Sequence, residues 1–211
     1  MIALFGGTFD PIHLGHINMA KQCVEHLTLD HLQFMPCAIP AHKAIPGISN
    51  EDRIAMLQAA IEPYPYFSLD LRELKRQGPS YSLLSLQELR KEHPNDPILF
   101  LIGLDSFNTL DKWFEWQKIT QLCHLVVFKR PNQDINLSSQ LIEYKEKALT
   151  TSPKTLRLEH AGRLYFLPGQ MMDIASSNIR QKLKKGQSCV ELLPTAVSHY
   201  IGDRQLYLSG E

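Results

Sequence analysis

Short apolar runs alternate along this chain with longer stretches whose apolar residues recur at helical spacing, and this alternation limits the fold more than any other feature. The runs that we expect to form strands cover residues 2–5, 32–35, 67–71, 98–102, 125–128 and 164–167. The stretches that we expect to form helices cover residues 14–27, 50–61, 82–90 and 111–122, and two more begin near residues 177 and 194. This alternation predicts an α/β fold, a doubly wound and mainly parallel Rossmann-like sheet with helices on both faces.

Finer features predict how these elements begin and which faces they bury. Asn50 is expected to cap the second helix, Ser176 and Ser177 the helix that follows them, and Pro194 to take the first position of the last helix. The second helix is expected to bury the face formed by Ile54, Leu57 and Ile61. Residues 131–155 are polar with weak periodicity, so we expect a variable excursion there.

Positive and negative charges balance in the 211-residue chain, with 22 Lys and Arg against 22 Asp and Glu. A neutral chain has no long-range attraction for nucleic acid or an anionic membrane, so any phosphate binding must be local. The length, without internal repeats or low-complexity segments, predicts a single domain over residues 1–211 with a helical C-terminal portion from about residue 176.

The cysteines, at positions 23, 37, 123 and 189, include no Cys-x-x-Cys pair and are too scattered for a disulfide framework or a zinc ribbon. We expect buried thiols in a reducing compartment. The N-terminus lacks the basic region of a signal peptide, and no run of 18 apolar residues occurs. These features predict a cytoplasmic protein without a transmembrane helix.

The strongest functional signal lies between the first predicted strand and the first predicted helix, where residues 5–16 read Phe-Gly-Gly-Thr-Phe-Asp-Pro-Ile-His-Leu-Gly-His. In an open α/β sheet such a junction binds ligands beside the free N–H groups of a helix N-terminus. Gly6 and Gly7 allow the backbone to approach a phosphate closely. His13 and His16 are three residues apart on one side of a turn, where imidazoles can stabilise phosphoryl oxygens.

Other interpretations of this junction stay open from the residues alone. The glycine pair can form a plain tight turn, and His-x-x-His can be half of a metal site. His26 and His31 are further metal candidates, although neither completes a clear ligand spacing. Gly15, between the two histidines, is expected to leave room for a bulky group above the helix.

Further polar residues at predicted strand ends and helix starts suit a nucleotide. Lys43 lies in the proline-rich segment 36–49, from which it can reach a triphosphate. Asp105 follows a predicted strand and Gly103, where it can hold a ribose hydroxyl or merely cap a helix. Arg180, one turn into the helix that the two serines are expected to cap, predicts a second anion site.

Residues 6–16 resemble the nucleotidyltransferase superfamily, whose hallmark is His-x-Gly-His, and in particular the bacterial nicotinate-nucleotide adenylyltransferases. The resemblance covers nearly the whole chain through the motifs Pro40-Ala41-His42-Lys43, Ser80-Tyr81-Ser82, Ile102-Gly103-Leu104-Asp105-Ser106, Trp113 with Arg130-Pro131, Ile174-Ala175-Ser176-Ser177-Asn178-Ile179-Arg180 and Leu206-Tyr207. The chain departs from the family pattern at Ala41, Ser82, Ala175 and Ser177. Ser82 and Ser177 keep the hydroxyl of the family's threonine, whereas Ala41 and Ala175 replace a proline and a serine.

This resemblance implies an enzyme that joins ATP and nicotinate mononucleotide into nicotinate adenine dinucleotide and pyrophosphate. The cofactor would be Mg²⁺ held mainly by phosphates, with no metal site of side chains. The implied catalytic residues are His13, His16, Lys43 and Arg180. The implied ATP site comprises Gly6, Gly7, Thr8, Phe9, His16, Gly103, Asp105, Ser176, Ser177, Ile179 and Arg180. The implied mononucleotide site comprises Thr8, Asp10, Lys43, Tyr81, Ser82, Asp105, Trp113, Phe114 and Arg130.

The resemblance also implies that Trp113 stacks on the pyridine ring, while Ser82 and the backbone near Phe114 meet its carboxylate. From spacing alone, Trp113 and Trp116 suit a helix core equally well, and we expect Trp116 to pack there.

Three alternative functions remain. The nearest is an adenylyltransferase for nicotinamide mononucleotide or phosphopantetheine, since acid and amide are distinguished only by donors that meet the carboxylate. The others are a non-catalytic nucleotide sensor and a metal-binding protein that uses His13 and His16. The expected partners are small-molecule substrates, not nucleic acid or membranes, and a homo-oligomer stays open.

Overall fold

The computed structural model describes residues 1–38, 47–131, 133–169 and 172–208. These residues contain a six-stranded sheet formed by β1 (Ile2–Gly7), β2 (Leu32–Pro36), β3 (Phe67–Leu69), β4 (Ile98–Gly103), β5 (His124–Phe128) and β6 (Leu164–Leu167). The strands lie in the order β3-β2-β1-β4-β5-β6, and all neighbouring pairs are parallel. The predicted doubly wound parallel sheet is confirmed.

Helices form most of the connections between these strands. They are α1 (Leu14–Leu27), α2 (Asn50–Ile61), α3 (Arg72–Lys75), α4 (Ser82–Glu92), α5 (Leu104–Phe107), α6 (Trp116–Leu122), α7 (Ser139–Ala148), α8 (Pro153–Leu158), α9 (Ser176–Lys184) and α10 (Thr195–Asp203), with a 3-10 helix at Leu110–Lys112. Among the described residues, none of the helices has the length and apolar character needed to cross a membrane. That the chain forms a single domain stays a prediction.

The core lies on both faces of the sheet because side chains of a strand alternate between the faces. On β1, Ala3 and Phe5 belong to the cluster that includes buried residues of α1, α2, α9 and α10. Leu4 belongs to the opposite cluster, which includes buried residues of α4, α5 and α6. The central strands are therefore buried on both faces, which explains why they appear in the sequence as continuous apolar runs.

The sheet order places a ligand crevice at the carboxyl ends of β1 and β4. β1 pairs with β2 on one side and with β4 on the other, so successive connections run to opposite edges of the sheet. Where the order reverses, the loops after the two strands diverge and leave a crevice between them. The loop that leads to α1 follows β1, and α5 follows β4 directly.

Two predicted elements end differently in the structure. The helix expected over residues 111–122 is broken, because Glu115 adopts a left-handed φ of 48° immediately before α6. The strand expected over residues 67–71 stops earlier, at the end of β3. There Asp70 Oδ1 accepts a hydrogen bond from Arg72 N at 3.0 Å as the chain turns into α3. The excursion expected over residues 131–155 contains α7 and the start of α8.

The predicted caps of α2, α9 and α10 are wrong. Ser49, not Asn50, is the N-cap of α2, and its Oγ accepts from Asp52 N at 3.0 Å. The N-cap of α9 is Ala175, which has no hydroxyl. At α10, Pro194 is the N-cap residue and not the first helical position. These errors share a cause: a cap depends on the φ and ψ angles of one residue, which sequence composition does not specify.

The four cysteines are free, and Cys23, Cys123 and Cys189 are buried. Burial raises the pKa of the Cys23 and Cys189 thiols above the usual range. Cys37 is partly exposed at the end of β2, so the expectation of buried thiols is confirmed for three of the four residues.

Gly7 ends β1 at a position where a Cβ atom would lie 2.8 Å from the Phe9 ring. Phe9 is buried and has a φ of 50°. We expect Gly7→Ala to lower the free energy of unfolding by about 1–3 kcal/mol, because overpacking forces the ring or the backbone to move. Urea unfolding measures the loss, with Gly47→Ala as control because nothing lies within 4 Å of that site. Equal stability of the two variants would contradict the clash.

Candidate active site

His13 and His16 form a reciprocal cap at the N-terminus of α1. His16 N donates to His13 Nδ1 at 3.3 Å, and His13 N donates to His16 Nδ1, also at 3.3 Å. The two imidazoles stack with their ring centroids 3.7 Å apart, so they lie on one side of the turn, as their spacing predicts. The pair accepts hydrogen bonds from backbone N–H groups that have no partner within the helix at its start. These bonds fix both rings at the crevice.

The cap also determines where His13 carries its proton. Burial, assisted by the charge of Arg130, lowers the pKa of His13 to about 3, so the ring is neutral near pH 7. A neutral imidazole whose Nδ1 accepts a hydrogen bond has its hydrogen on Nε2. His13 Nε2 has no hydrogen-bond partner among the described residues. The ring therefore presents a buried, unsatisfied N–H donor beside a helix N-terminus.

Gly15 is needed for the His13 ring and not for a ligand. A Cβ atom at position 15 would lie 3.0 Å from both Cε1 and Nδ1 of His13. The space that the sequence predicts above the helix is thus filled by the imidazole. On the other side, Phe9 packs edge-on against the His16 ring, with centroids 5.1 Å apart.

Two arginines belong to the same region. Arg130, which follows β5, lies close enough to His13 for its charge to lower the pKa of that ring. Arg180 on α9 donates through Nη1 to Asp10 O at 2.6 Å, and the same Nη1 lies 3.8 Å from Asp10 Oδ2. The Arg180 side chain is 41% exposed, which leaves it accessible to an anion.

Asp10 is buried and connected to the last part of the chain. Tyr207 Oη donates to Asp10 Oδ1 at 2.7 Å. The carboxylate thus lies between Arg180 and Tyr207 and does not line the cavity beside β1. Its predicted contact with the mononucleotide stays a prediction.

A cavity of about 210 Å³ opens beside β1 and β4. It is smaller than the roughly 300–1,000 Å³ of a typical drug-sized pocket, so it suits one ring and its substituents. Its lining includes the predicted binding residues Gly6, Gly7, Thr8, Tyr81, Ser82, Asp105, Trp113 and Phe114. Tyr81 and Phe114 form an aromatic pair with centroids 4.8 Å apart, and Trp113 meets Phe100 edge-on at 6.4 Å. The structure therefore brings most of the predicted mononucleotide site together.

Asp105 lies at the crevice in the first turn of α5. The N-cap residue of this helix is Gly103, so Asp105 is not its cap. A Cβ atom at Gly103 would lie 2.5 Å from Asp105 Oδ1, so the carboxylate folds back over the glycine backbone. Its exposed position is suited to a ribose hydroxyl.

The predicted residues at the start of α9 have different environments. Ser176 Oγ donates to Pro11 O at 2.9 Å and ties α9 to the loop after β1. Ser177 is exposed, whereas the Ile179 side chain is fully buried and leaves only its backbone for a ligand. Lys43 lies outside the described residues.

Sequence reasoning misses Arg53, a fully buried arginine beneath the site. Its Nη1 donates to Thr8 O at 2.7 Å, and its Nη2 donates to Cys37 O at 2.7 Å and to Asn50 Oδ1 at 2.6 Å. Arg53 thereby joins the loops that follow β1 and β2. The sequence contained a signal for it, because Arg53 has the helical spacing of the buried face of α2, which includes Met56, Leu57, Ala60 and Ile61. Ile54, which the sequence placed on the buried face, is only partly buried.

The metal-site alternative gains no support from the geometry. No group of three or more His, Cys, Asp or Glu among the described residues is arranged to hold a metal ion. His26 Nε2 lies 2.6 Å from Tyr165 Oη, and His31 Nε2 lies 2.6 Å from Ser68 Oγ, so both rings are engaged elsewhere.

Comparison with known proteins agrees with this geometry. A family model described as cytidylyltransferase-like matches residues 4–182, which defines the class as nucleotidyltransferase. A protein of Cellvibrio japonicus named "Probable nicotinate-nucleotide adenylyltransferase" is 42% identical over 207 residues and covers 98% of each chain. One of the same name from Methylococcus capsulatus is 39% identical over 208 residues, covering 98% of this chain and 99% of its own. The chain therefore belongs to the nicotinate-nucleotide adenylyltransferase family.

A solved structure agrees at the level of the fold. Plasmodium falciparum nicotinic acid mononucleotide adenylyltransferase complexed with NaAD matches with a TM-score of 0.70 and 20% identity. The match covers 98% of this chain and 96% of that one. At this identity the likeness establishes the shared architecture alone.

The buried, neutral His13 predicts a specific loss of stability in acid. When unfolded, His13 has a pKa near 6.5, whereas in the ligand-free fold it is about 3. As the pH falls from 7.5 to 5, His13 becomes protonated in the unfolded state and stays neutral in the folded state. This difference lowers the free energy of unfolding by about 2 kcal/mol. Urea unfolding at both pH values should show this excess loss in the wild type over His13→Asn, whose amide oxygen can still cap α1. Identical pH dependences would contradict the assignment.

Proposed function

We propose that the protein transfers the adenylyl group of ATP to the 5′-phosphate of nicotinate mononucleotide, giving nicotinate adenine dinucleotide and pyrophosphate in NAD biosynthesis. An oxygen of the 5′-phosphate attacks the α-phosphorus, and the bond from that phosphorus to the bridging oxygen of the β-phosphate breaks. The observation that carries the proposal is the unsatisfied Nε2–H of His13 beside the N-terminus of α1. The nucleophile is already anionic, so the reaction needs positioning and charge stabilisation and no general base.

The histidine pair supplies donors for the phosphoryl oxygens. His16 acts on the α-phosphate, where charge grows in the transition state, and His13 on the neighbouring phosphates. The reciprocal hydrogen bonds hold the rings before substrate arrives, so little reorganisation is needed during the reaction. Donation by the neutral His13 ring also avoids placing a cation at the positive end of the helix dipole.

Cationic side chains neutralise the leaving pyrophosphate. Arg180 is exposed enough to reach it and is oriented by its hydrogen bond to Asp10 O. We assign Lys43 to the same role on the family resemblance. A guanidinium fork matches phosphate oxygens better than an ammonium does, which makes Arg180 the stronger anchor.

The cavity beside β1 takes the pyridine ring. Trp113 stacks on the ring, and Ser82 with the backbone near Phe114 meets its carboxylate. The position of all three in the lining supports this assignment. Asp105 holds a ribose hydroxyl, and Arg130 meets the mononucleotide near His13.

Mg²⁺ would enter with ATP and supply charge neutralisation on the phosphates. The groups that we assign to the phosphates, on His13, His16 and Arg180, present N–H donors, which suit phosphate oxygens and not a cation. The described residues also offer no cluster of three metal-binding side chains. We therefore expect the metal to be held by phosphates and water. The free cysteines support a cytoplasmic location, where thiols stay reduced.

Pyrophosphate release tests the reaction and its acceptor. ATP with Mg²⁺ is supplied together with nicotinate mononucleotide, nicotinamide mononucleotide or phosphopantetheine in separate reactions. We expect the highest kcat/KM with the nicotinate compound. Release only with another acceptor would overturn the substrate assignment, and no release with any of them would favour the nucleotide sensor.

We expect His16→Ala to lower kcat while the KM values for both substrates change little. Losing one strong oxyanion donor raises the barrier by on the order of 2–4 kcal/mol. Steady-state kinetics measures the effect, and His31→Ala is the control because that histidine is exposed and hydrogen-bonded to Ser68. An unchanged kcat would remove His16 from the mechanism.

Trp113→Ala should raise the KM for nicotinate mononucleotide and spare that for ATP, because only the pyridine ring loses its stacking partner. Trp116→Phe is the matched control, since Trp116 is buried against Tyr144 and does not line the cavity. Equal increases in both KM values for Trp113→Ala would show that Trp113 is only structural.

A further inference from the structure

Glu73 is a buried carboxyl group in the wall of the cavity that we assign to an acidic ring. It lies on α3, its residue exposure is 3%, and it belongs to the cavity lining. Neither the reaction nor the resemblance gives it a role. An unpaired buried carboxylate is costly, and one beside an anionic ligand is more so, so its surroundings need an explanation.

Hydroxyl groups from two segments donate to this carboxyl group. Ser85 Oγ, on α4, donates to Glu73 Oε1 at 2.8 Å. Ser80, just before α4, also hydrogen-bonds the carboxyl group through its side chain. Arg76 Nη1 donates to Ser85 Oγ at 3.3 Å, which brings a positive charge to the far side of the group. Burial raises the pKa of Glu73, while these hydrogen bonds and the charge of Arg76 oppose the rise.

The Ser80 hydroxyl links Glu73 to the backbone that follows β2. Its oxygen accepts a hydrogen bond from Ala38 N at 2.9 Å, just beyond the end of β2. Because Ser80 donates its hydroxyl proton to Glu73, a lone pair of the same oxygen accepts from the Ala38 N–H. Hydrogen bonds thus connect α3 through Ser80 to the backbone just beyond β2. Tyr81 and Ser82, the next two residues, line the cavity.

We propose that Glu73 is a positioning residue for the mononucleotide: through Ser80 it fixes the Ser80–Ser82 wall of the cavity so that this wall meets the carboxylate of the pyridine ring. The proposal rests on the proposed function and names a determinant of acid-over-amide selection. The carboxyl group of Glu73 acts on the wall and not on the ligand, since its hydrogen bonds go to the two serines. A ligand donor displaced by even a fraction of an ångström loses much of its discrimination.

The test compares Glu73→Gln, Ser80→Ala and the double variant in the pyrophosphate assay. The amide of Gln keeps the size of the side chain but replaces one of the two acceptor oxygens with an NH₂ donor and removes the negative charge. We expect each single variant to raise the KM for nicotinate mononucleotide by roughly tenfold, as for one lost hydrogen bond, and to change the KM for ATP less than about twofold. The preference for nicotinate over nicotinamide mononucleotide should fall in parallel. The double variant should be no worse than the singles, because both remove one connection.

Two controls separate positioning from general damage. Ser85→Ala removes the other hydroxyl donor but keeps the link through Ser80, so its KM values should stay near those of the wild type. Glu88→Gln removes a carboxylate 2.7 Å from Arg76 on the exposed face of α4, where no effect on substrate choice is expected. If Glu73→Gln does not fold, Ser80→Ala with these controls tests the same link.

The outcomes distinguish this inference from the proposed function. A wild type without activity on nicotinate mononucleotide would overturn both. An active wild type whose Glu73→Gln variant keeps its KM and its acid preference would overturn the inference alone. A lower KM for the acid in Glu73→Gln would show that the carboxylate repels the ligand, and additive effects in the double variant would show that Glu73 does not act through Ser80.

Discussion

The reciprocal hydrogen bonds between His13 and His16 are the interaction on which the rest of the site depends. They begin α1 beyond the carboxyl end of β1 and engage Nδ1 of both rings, which leaves Nε2 as the donor of the neutral His13 ring. Gly15 follows from this geometry, since a Cβ atom there would meet the His13 ring. A helix start has open N–H groups in any protein. Here we propose that the residues that satisfy two of them also donate to phosphate oxygens.

Arg53 supports this arrangement by joining the loops that follow β1 and β2. Its partners among the described residues are two backbone carbonyls and one amide oxygen, none of them a carboxylate. A buried guanidinium held by neutral oxygens lacks the direct carboxylate partner that would offset the cost of its burial. Because one of those carbonyls belongs to Thr8 in the cavity lining, an arriving anion can offset part of that cost. The chain is neutral overall, yet three of its cationic side chains, Arg53, Arg130 and Arg180, lie around one crevice.

The features that could be predicted from the sequence are those that depend on residues close together along the chain. The parallel sheet and the histidine pair with its junction follow from periodicity and from local motifs. Much of the cavity lining, such as Tyr81, Ser82, Trp113 and Phe114, follows from the family resemblance. Arg53, Glu73 and Tyr207 could not be assigned roles because their partners come from other elements. Of these three residues, only Arg53 had a recognisable sequence signal, since it is a charged residue at a position of the buried face of α2. The break at Glu115 and the caps were missed because single backbone angles decide them. The catalytic and binding roles of the site residues stay predictions until they are measured.

The hydrogen bond between Tyr207 and Asp10 joins residues that are 197 positions apart. The helices α9 and α10 contribute buried residues to the same core cluster as β1, so this core is incomplete until both helices have been made. Domains generally fold as units during synthesis. Asp10, one of the first residues made, therefore reaches its place between Arg180 and Tyr207 only after the helices of the C-terminal portion have joined the core.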